Sequence, residues 1–262
     1  MVVQSPSGSG ADAASATARY CYGVTWAEGP PSRGGVGVGG APVHAVCHRE
    51  LAALTSPVES TKVRARRRDL LLHSEVLSSA LEHGAVLPLR FGVVFLSDAA
   101  LVDDFLQPRH DELTALLRKF EGRVELTVKA FYKEEAILAE IVSDDPRIAR
   151  LREATRVGAE AATYPLKVEL GERVAGAIEE RTHRDQRALL GRLRPIALDK
   201  VLAQEPLEHE VLRASFLVER ARVPSFDQVM NELAREQAGR MHFKYVGPLA
   251  PHSFVSLTAE ER

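Results

Sequence analysis

The chain has few cysteines, little net charge and no long apolar run, and each of these shortages argues against a class of protein. Its 262 residues include only two cysteines, Cys21 and Cys47. Two cysteines cannot staple a small secreted scaffold, and a chain of this length buries a core without disulfides. We therefore expect reduced thiols and a cytoplasmic protein.

Charge and hydropathy exclude further classes. The 34 basic and 36 acidic residues leave a formal net charge of −2, whereas non-specific nucleic-acid binding depends on a strong positive field. No uncharged apolar stretch approaches the roughly 20 residues of a membrane span, so we predict a soluble protein. Residues 1–18 are rich in Ser, Ala and Gly and lack the apolar run of a signal peptide, which predicts a disordered leader.

The hydrophobic content is sufficient for folded cores. Hydrophobic residues make up 45% of the chain, and 262 residues favour two domains. We predict an N-terminal α+β domain at residues 19–122, a C-terminal α+β domain at 123–247 and a tail at 248–262.

The N-terminal domain is predicted to be a small sheet covered by helices, with a strand order that the sequence does not determine. The predicted elements are strands at Arg19–Trp26, Val43–Cys47, Leu51–Thr55 and Val86–Val94, a helix at Lys62–His83, and a helical segment from Ser97 to Gly122. Ser97 is expected to cap this last segment. Pro108 is expected to kink or restart it.

The C-terminal domain has a clearer order. Its predicted elements are strand Val124–Tyr132, helices across Lys133–Leu193 with breaks near Pro146 and Pro165, strands Ile196–Leu202 and Glu210–Glu219, helix Phe226–Gln237 and strand Met241–Val246. This βαββαβ order is ferredoxin-like, with a long helical insertion. Ser225 and Gln228 predict a capping box for the last helix, whose buried stripe consists of Phe226, Val229, Met230 and Leu233.

Candidate ligand-binding motifs are weak. His44, Cys47 and His48 combine imidazole with thiolate, but Cys47 falls on the opposite side of a regular strand, so we expect ordinary strand residues. The Gly-rich segment at 34–40 precedes a strand instead of opening a helix, which favours a flexible hairpin over a phosphate loop. We predict no cofactor, no metal and no catalytic residue.

Two groups of cations stand out. The basic run consists of Lys62, Arg64, Arg66, Arg67 and Arg68; it indicates either an acidic partner or, more simply, a solvated face paired with Asp69 and Glu75. Arg90 has apolar neighbours, so we expect a structural ion pair, with Glu125 or Asp98 as partner.

Four segments in order resemble the GvpL/GvpF family of gas vesicle proteins. They are Tyr20–Val24, Val86–Phe95, Val124–Tyr132 and Gly239–Val255. The resemblance covers residues from about 19 to 255. It implies a gas vesicle assembly protein that contacts the small, hydrophobic shell protein and other accessory proteins, in the cytoplasm or on the vesicle. Minor shell component, nucleator and chaperone-like escort all remain open.

Two other functions compete with this one. A ferredoxin-like sheet is also used for RNA binding, but here the aromatics on the two central strands are few: Phe131, Tyr132 and Phe216. A small-molecule enzyme without a recognisable motif is the second alternative. We favour a binding protein with no nucleic-acid, membrane or small-molecule partner.

Such a protein needs a surface that covers apolar partners. The tail offers Leu249, Phe254, Val255 and Leu257, and an unpaired sheet edge is the other candidate. We expect Leu249 and Phe254 to pack internally, with Val255 onward available to partners. Arg90, Gly92, Gly247 and Pro248 are predicted to have structural roles.

Overall fold

The computed structural model describes residues 17–28, 35–156, 160–204, 207, 209–255 and 257, with the backbone alone for 160–162. The chain divides into two compact units, Met1–Glu121 with Leu257–Arg262, and Gly122–Ser256. Each unit contains one antiparallel sheet together with helices, which confirms the α+β class. Residues 1–16 of the predicted leader lie outside the described residues.

The first unit is built on an antiparallel sheet of order β2-β3-β1-β4, in which β5 also pairs with β1. Its strands are β1 (Ala18–Trp26), β2 (His44–His48), β3 (Leu51–Val58), β4 (Val86–Pro88) and β5 (Val94–Phe95). Its helices are α1 (Arg67–His83), α2 (Asp98–Leu101) and α3 (His110–Phe120), with a 3₁₀ turn at Val38–Gly40 and a π-helical turn at Val102–Leu106. Strand β1 is central because it pairs with three others, and six consecutive residues of it are buried.

The core of the first unit contains neutral polar groups. Tyr20 Oη lies 2.8 Å from His73 Nδ1, and Tyr22 Oη lies 2.9 Å from Ser56 Oγ. The Val38 backbone N–H donates to Tyr22 Oη over 2.7 Å. Burial raises the pKa of both tyrosines, so their hydroxyl groups stay neutral near pH 7. The hydrogen bonds therefore satisfy polar atoms that would be costly to bury alone.

Several helix and strand boundaries in this unit differ from those predicted. The predicted strand 86–94 is two strands, β4 and β5, because Gly92 adopts φ +97° in the turn between them, a conformation that favours glycine. Helix α1 begins at Arg67 instead of Lys62, since Arg66 has extended backbone angles. The Ser97 cap is confirmed: its Oγ accepts from the Ala100 N–H over 3.0 Å. The described part of the Gly-rich segment forms a hairpin closed by a Val36–Pro42 bridge.

The second unit has a four-stranded antiparallel sheet of order β7-β8-β6-β9. Its strands are β6 (Arg123–Tyr132), β7 (Asp199–Leu202), β8 (Glu210–Glu219) and β9 (Met241–Leu249). Its helices are α4 (Glu134–Asp144), α5 (Pro146–Arg156), α6 (Glu160–Leu193) and α7 (Val223–Glu236), with a 3₁₀ turn at Arg220–Arg222. Central β6 and β8 with outer β7 and β9 give the predicted ferredoxin-like order.

Two details of the second unit differ from prediction. Ser225 does not cap α7, because the helix already begins at Val223 and Pro224 occupies its first turn, a position that suits proline. Pro165 does not break the helical insertion, since it lies in the second turn of α6, a 34-residue helix. The buried stripe of α7 is confirmed at Phe226, Met230 and Leu233.

An ionic network joins the helices of the second unit to its sheet. Asp185 on α6 accepts from Tyr132 Oη over 2.7 Å and from Arg240 Nη2 over 2.9 Å. Glu140 on α4 accepts from Arg240 Nε over 2.6 Å and from Arg181 Nε over 3.2 Å. Four charged side chains from three segments are therefore held by one another next to the start of β9.

Candidate partner-binding surfaces

In the described part of the C-terminal tail, Val255 and Leu257 are buried, which corrects the expectation that these two residues are available to partners. Val255 is 9% exposed and Leu257 is 3% exposed. Leu249 and Phe254, which were expected to pack internally, are half-buried. The tail folds back because its apolar side chains find apolar surface within the chain. None of these four residues is therefore a fully accessible anchor, and their role in partner binding remains a prediction.

A buried carboxylate holds the tail of the second unit in place. Glu125 on β6 is 3% exposed. It accepts from the Ser253 backbone N–H over 2.7 Å and from Ser253 Oγ over 2.7 Å. Glu125 is also one of the two partners expected for Arg90. It bonds the tail instead, and this long-range pairing has no signature in the local sequence.

Gly247 and Pro248 lie within β9, which extends to Leu249, whereas the tail was predicted to start at residue 248. Gly247 has φ +149°, and a Cβ there would lie 2.6 Å from Leu126 Cδ2 and 2.9 Å from the Glu125 carbonyl oxygen. Both the backbone angle and the close approach favour glycine. A structural role for Gly247 is thus consistent with its geometry, and Pro248 follows it in a cis peptide bond.

Arg90 is on the surface, so the expectation of a desolvated ion pair is wrong. The side chain is exposed. The two partners considered for it are engaged elsewhere: Asp98 binds Arg19 over 2.6 Å, and Glu125 bonds the tail. Apolar neighbours in sequence did not imply burial because Arg90 follows the end of β4, where the chain turns towards solvent.

The basic run is also exposed. Lys62, Arg64, Arg66, Arg67 and Arg68 all lie on the surface, and among the described residues none of them forms an ion pair with Asp69 or Glu75. Asp69 instead accepts from the Gly39 N–H over 3.2 Å. The run is therefore a solvated face without the predicted pairing.

The densest group of exposed apolar side chains lies on strand β7 and in the segments that flank it. Leu198, Val201, Leu202 and Leu207 are 44%, 40%, 37% and 59% exposed. We call these four residues the β7 edge cluster. They are four of the eleven large hydrophobic side chains that are exposed in the described part of the chain, yet they fall within ten residues. Val201 and Leu202 are consecutive in β7 and project from opposite faces of the sheet, so exposed apolar side chains lie on both sides of this edge. Exposed apolar surface of this kind is a candidate interaction surface.

The position of β7 adds a backbone argument. It lies at one end of the sheet, and only β8 pairs with it among the described strands. Four residues of β7 pair with β8, which is ten residues long. A sheet edge presents backbone N–H and C=O groups that an added strand can use. Two of the four residues of β7, Asp199 and Lys200, are charged, and charged side chains on an edge strand oppose non-specific pairing with other strands.

The features expected of an enzyme are weak. Burial raises the pKa of the Cys21 thiol to about 12, so it is not a thiolate nucleophile near pH 7. A cavity of about 240 Å³ lies between α6 and α7, lined by Asp185, Leu189, Arg192, Leu233 and Met241 among others. Its charged groups are already engaged, Asp185 with Tyr132 and Arg192 with Glu232 and Glu236. It is also smaller than the roughly 300 Å³ at which ligand pockets begin.

The RNA-binding alternative loses two of its three aromatics. Tyr132 is 3% exposed and Phe216 is fully buried on the helix-covered face of the sheet. Only Phe131 remains on the other face, whereas RNA-recognition sheets stack two or three bases.

His44, Cys47 and His48 belong to β2, and no cluster of metal-ligating side chains is found within the described residues.

Comparison with known proteins identifies the family. A family model for the gas vesicle synthesis protein GvpL/GvpF matches residues 18–256. The chain belongs to the GvpL/GvpF family of gas vesicle proteins. Gas vesicle protein F from a Streptomyces species is 36% identical over 90% of this chain and 98% of its own length. Gas vesicle protein L from the same organism is 29% identical over 93% of this chain and 94% of its own length.

Solved structures agree with the fold. The crystal structure of GvpF from an Anabaena species matches with a TM-score of 0.78 at 23% identity and covers 93% of this chain and 100% of that chain. GvpF from Microcystis aeruginosa matches with a TM-score of 0.74 at 23% identity, over 92% of this chain and 100% of that one. The chain is thus a gas vesicle accessory protein of the GvpF type of fold. No helix among the described residues is long and apolar enough to cross a membrane.

Proposed function

We propose that this chain binds the small, hydrophobic gas vesicle shell protein before it assembles, and that the β7 edge cluster is the contact. The observation that carries the proposal is the exposure of Leu198, Val201, Leu202 and Leu207 on and beside β7, which pairs with β8 alone among the described strands. Membership of the family supports the vesicle context. Backbone pairing supplies affinity in strand addition, and side-chain pockets supply specificity.

The proposed role is that of an escort without catalysis. A hydrophobic protein aggregates when its apolar surface stays in water, and covering that surface is favourable by roughly 25 cal/mol per Å². Strand addition needs neither nucleotide hydrolysis nor a metal ion. We therefore expect protection of the shell protein to be stoichiometric and independent of ATP and of chelators.

Light scattering of the shell protein during dilution from denaturant tests this proposal. Wild-type chain should suppress the scattering, and Val201→Lys should suppress it less, because a lysine at the edge opposes strand pairing. Val246→Lys is the matched control, since Val246 is 54% exposed on β9 at the opposite edge of the same sheet. This control variant should protect as well as wild type does.

Two outcomes would contradict the proposal. One is protection that requires ATP or disappears with chelator. The other is equal protection by wild type, Val201→Lys and Val246→Lys, which would show that the β7 edge is not the contact. Fractionation of vesicles separates an escort from a shell component: an escort is washed away from mature vesicles, whereas a component or nucleator stays with them.

A further inference from the structure

The second sheet has a face with an unusual arrangement of charge. Along β6, Val124, Leu126 and Val128 are fully buried, whereas Thr127, Lys129 and Phe131 on the alternate face are half-buried. Alternation of this kind means that the first set packs under the helices and the second faces away from them. The face that carries Thr127, Lys129 and Phe131 is called the open face below.

Three cations lie in a row across this open face. Lys129 is paired in register with Arg213 on β8 and with Lys244 on β9. Residues directly opposite one another project from the same face with Cβ atoms about 5 Å apart, and like charges in such pairs are destabilising. We call Lys129, Arg213 and Lys244 the cation row. Its three members come from three strands, so the row exists only in the folded sheet.

Glu210 is the counter-charge of the row. Its Oε2 lies 2.6 Å from Arg213 Nη2. Burial works against ionisation of Glu210, but hydrogen bonds from Arg213 and the Leu207 N–H, together with the charges of Arg213 and Lys129, lower its pKa overall, so Glu210 is a carboxylate near pH 7. Within the described residues, neither Lys129 nor Lys244 forms an ion pair at contact distance. One carboxylate against three cations therefore leaves the row with excess positive charge.

An aromatic pair lies beside the row. The rings of Phe131 and His242 stack with centroids 5.1 Å apart and planes 12° apart. Lys244 Nζ lies 5.6 Å from the centre of the Phe131 ring. A flat apolar surface next to two ammonium groups that form no ion pair at contact distance within the described residues suits an extended backbone that carries acidic side chains.

We propose that the open face binds an extended, carboxylate-rich segment of a partner protein, whose acidic groups lie over the cation row. In an extended chain, side chains on one side repeat about every 7 Å, so two carboxylates at alternate positions span the row of neighbouring strands. Binding of carboxylates would relieve the repulsion between Lys129 and its neighbours. This site is separate from the β7 edge cluster and does not depend on it.

The same face is poorly suited to nucleic acid. On β8, the open-face positions next to Thr127 and Lys129 are Ser215 and Arg213, which leaves no ring on that strand to stack a base. Ser253 of the tail bonds to Ser215 Oγ over 2.9 Å and so occupies the neighbouring part of the face. The net charge of −2 supplies no long-range attraction for phosphates.

Fluorescence anisotropy with a labelled peptide of alternating Glu and Ser tests the proposal. The peptide should bind the full-length chain at low salt and dissociate as salt is added, because exposed charges are screened. The double variant Lys129→Gln/Lys244→Gln should bind about tenfold more weakly. The control Lys62→Gln/Lys167→Gln removes the same charge from two exposed lysines elsewhere and should bind like wild type.

Thermal unfolding of the same variants checks whether the lysines serve the fold instead. Since Lys129 and Lys244 repel one another, the double variant should unfold at or above the wild-type temperature. A lower unfolding temperature would overturn the proposal. So would absence of peptide binding at low salt, equal binding of a Gln–Ser peptide, equal weakening in the control variant, or tighter binding of a single-stranded RNA than of the acidic peptide.

Discussion

The two sheets of this chain bury polar groups in different ways. In the first unit, Tyr20, Tyr22 and Ser56 place neutral hydroxyl groups in the middle of the core. In the second unit the buried polar groups are charged: Glu125 and Glu210 on the central strands are 3% and 4% exposed, and the network of Asp185 and Arg240 lies where Arg240 keeps 31% of its side chain exposed. The difference follows from the cost of burial. A neutral hydroxyl needs one partner in a dry interior, whereas a buried carboxylate needs several donors or a cation, as Glu125 has in Ser253 and Glu210 has in Arg213.

Asp185→Ala should have the largest effect and would test the second unit. Removal of this carboxylate, 12% exposed, takes the acceptor from Tyr132 Oη and from Arg240. We expect a loss of about 3 kcal/mol in the free energy of unfolding, measured by urea titration. The exposed pair Arg192–Glu236 provides the control: Glu236→Ala should cost less than about 1 kcal/mol. Equal losses would mean that the network of Asp185 and Arg240 behaves like a surface ion pair.

Tyr22→Phe should have the next largest effect and would test the first unit. The change leaves the Val38 N–H and Ser56 Oγ without their hydrogen-bond partner in the core. We expect a loss of about 2 kcal/mol in the free energy of unfolding. Tyr164→Phe removes a hydroxyl from a ring that is 67% exposed and should leave stability unchanged. A neutral result for Tyr22→Phe would show that the core tolerates unpaired polar groups.

The smallest expected effect is the pH dependence of the stability that His110 contributes. It sharpens the comparison because His110, Asp111 and Glu50 form a group of ionisable side chains in the first unit. Its Nδ1 lies 3.1 Å from Asp111 Oδ1 and its Nε2 lies 3.1 Å from Glu50 Oε2. The hydrogen bond with Asp111 and the adjacent Glu50 carboxylate raise the pKa of His110. The stability it contributes is therefore present below its unfolded pKa of about 6.5 and is lost as the pH rises through the higher folded pKa.

The measurement is the difference in unfolding free energy between wild type and His110→Gln at about pH 6 and about pH 8. The difference should be larger at the lower pH. A difference that grows towards the higher pH would show that His110 is not stabilised as the cation.

The order of the second unit was predictable from local patterns. The strands predicted at 124–132 and 210–219, the apolar stripe of α7 and the βαββαβ sequence of elements are all confirmed. Each depends on residues close together in the chain, and periodicity of burial is the main local signal. The strand order of the first unit was not predicted, since β1 pairs with β3, β4 and β5 across distances that no local pattern encodes.

The candidate partner-binding surfaces were also predictable only in part. Sequence reasoning named a free sheet edge as a possible contact but could not say which edge. It placed Val255 and Leu257 outside the fold and Arg90 inside it, and the structure reverses both. Burial of the tail depends on Glu125, 128 residues away from Ser253 in the chain. A contact of this range is decided by tertiary packing and not by the neighbours of either residue.

The sequence alone determined the family resemblance, the α+β class, the ferredoxin-like order and the Ser97 cap, because local periodicity and capping chemistry are written in consecutive residues. Tertiary structure alone decided the burial of the tail, the exposure of the β7 edge cluster and the alignment of the cation row. Lys129, Arg213 and Lys244 are far apart in sequence and become neighbours through strand register. Register is set by how whole strands bury their apolar faces, so it emerges only when the sheet has formed.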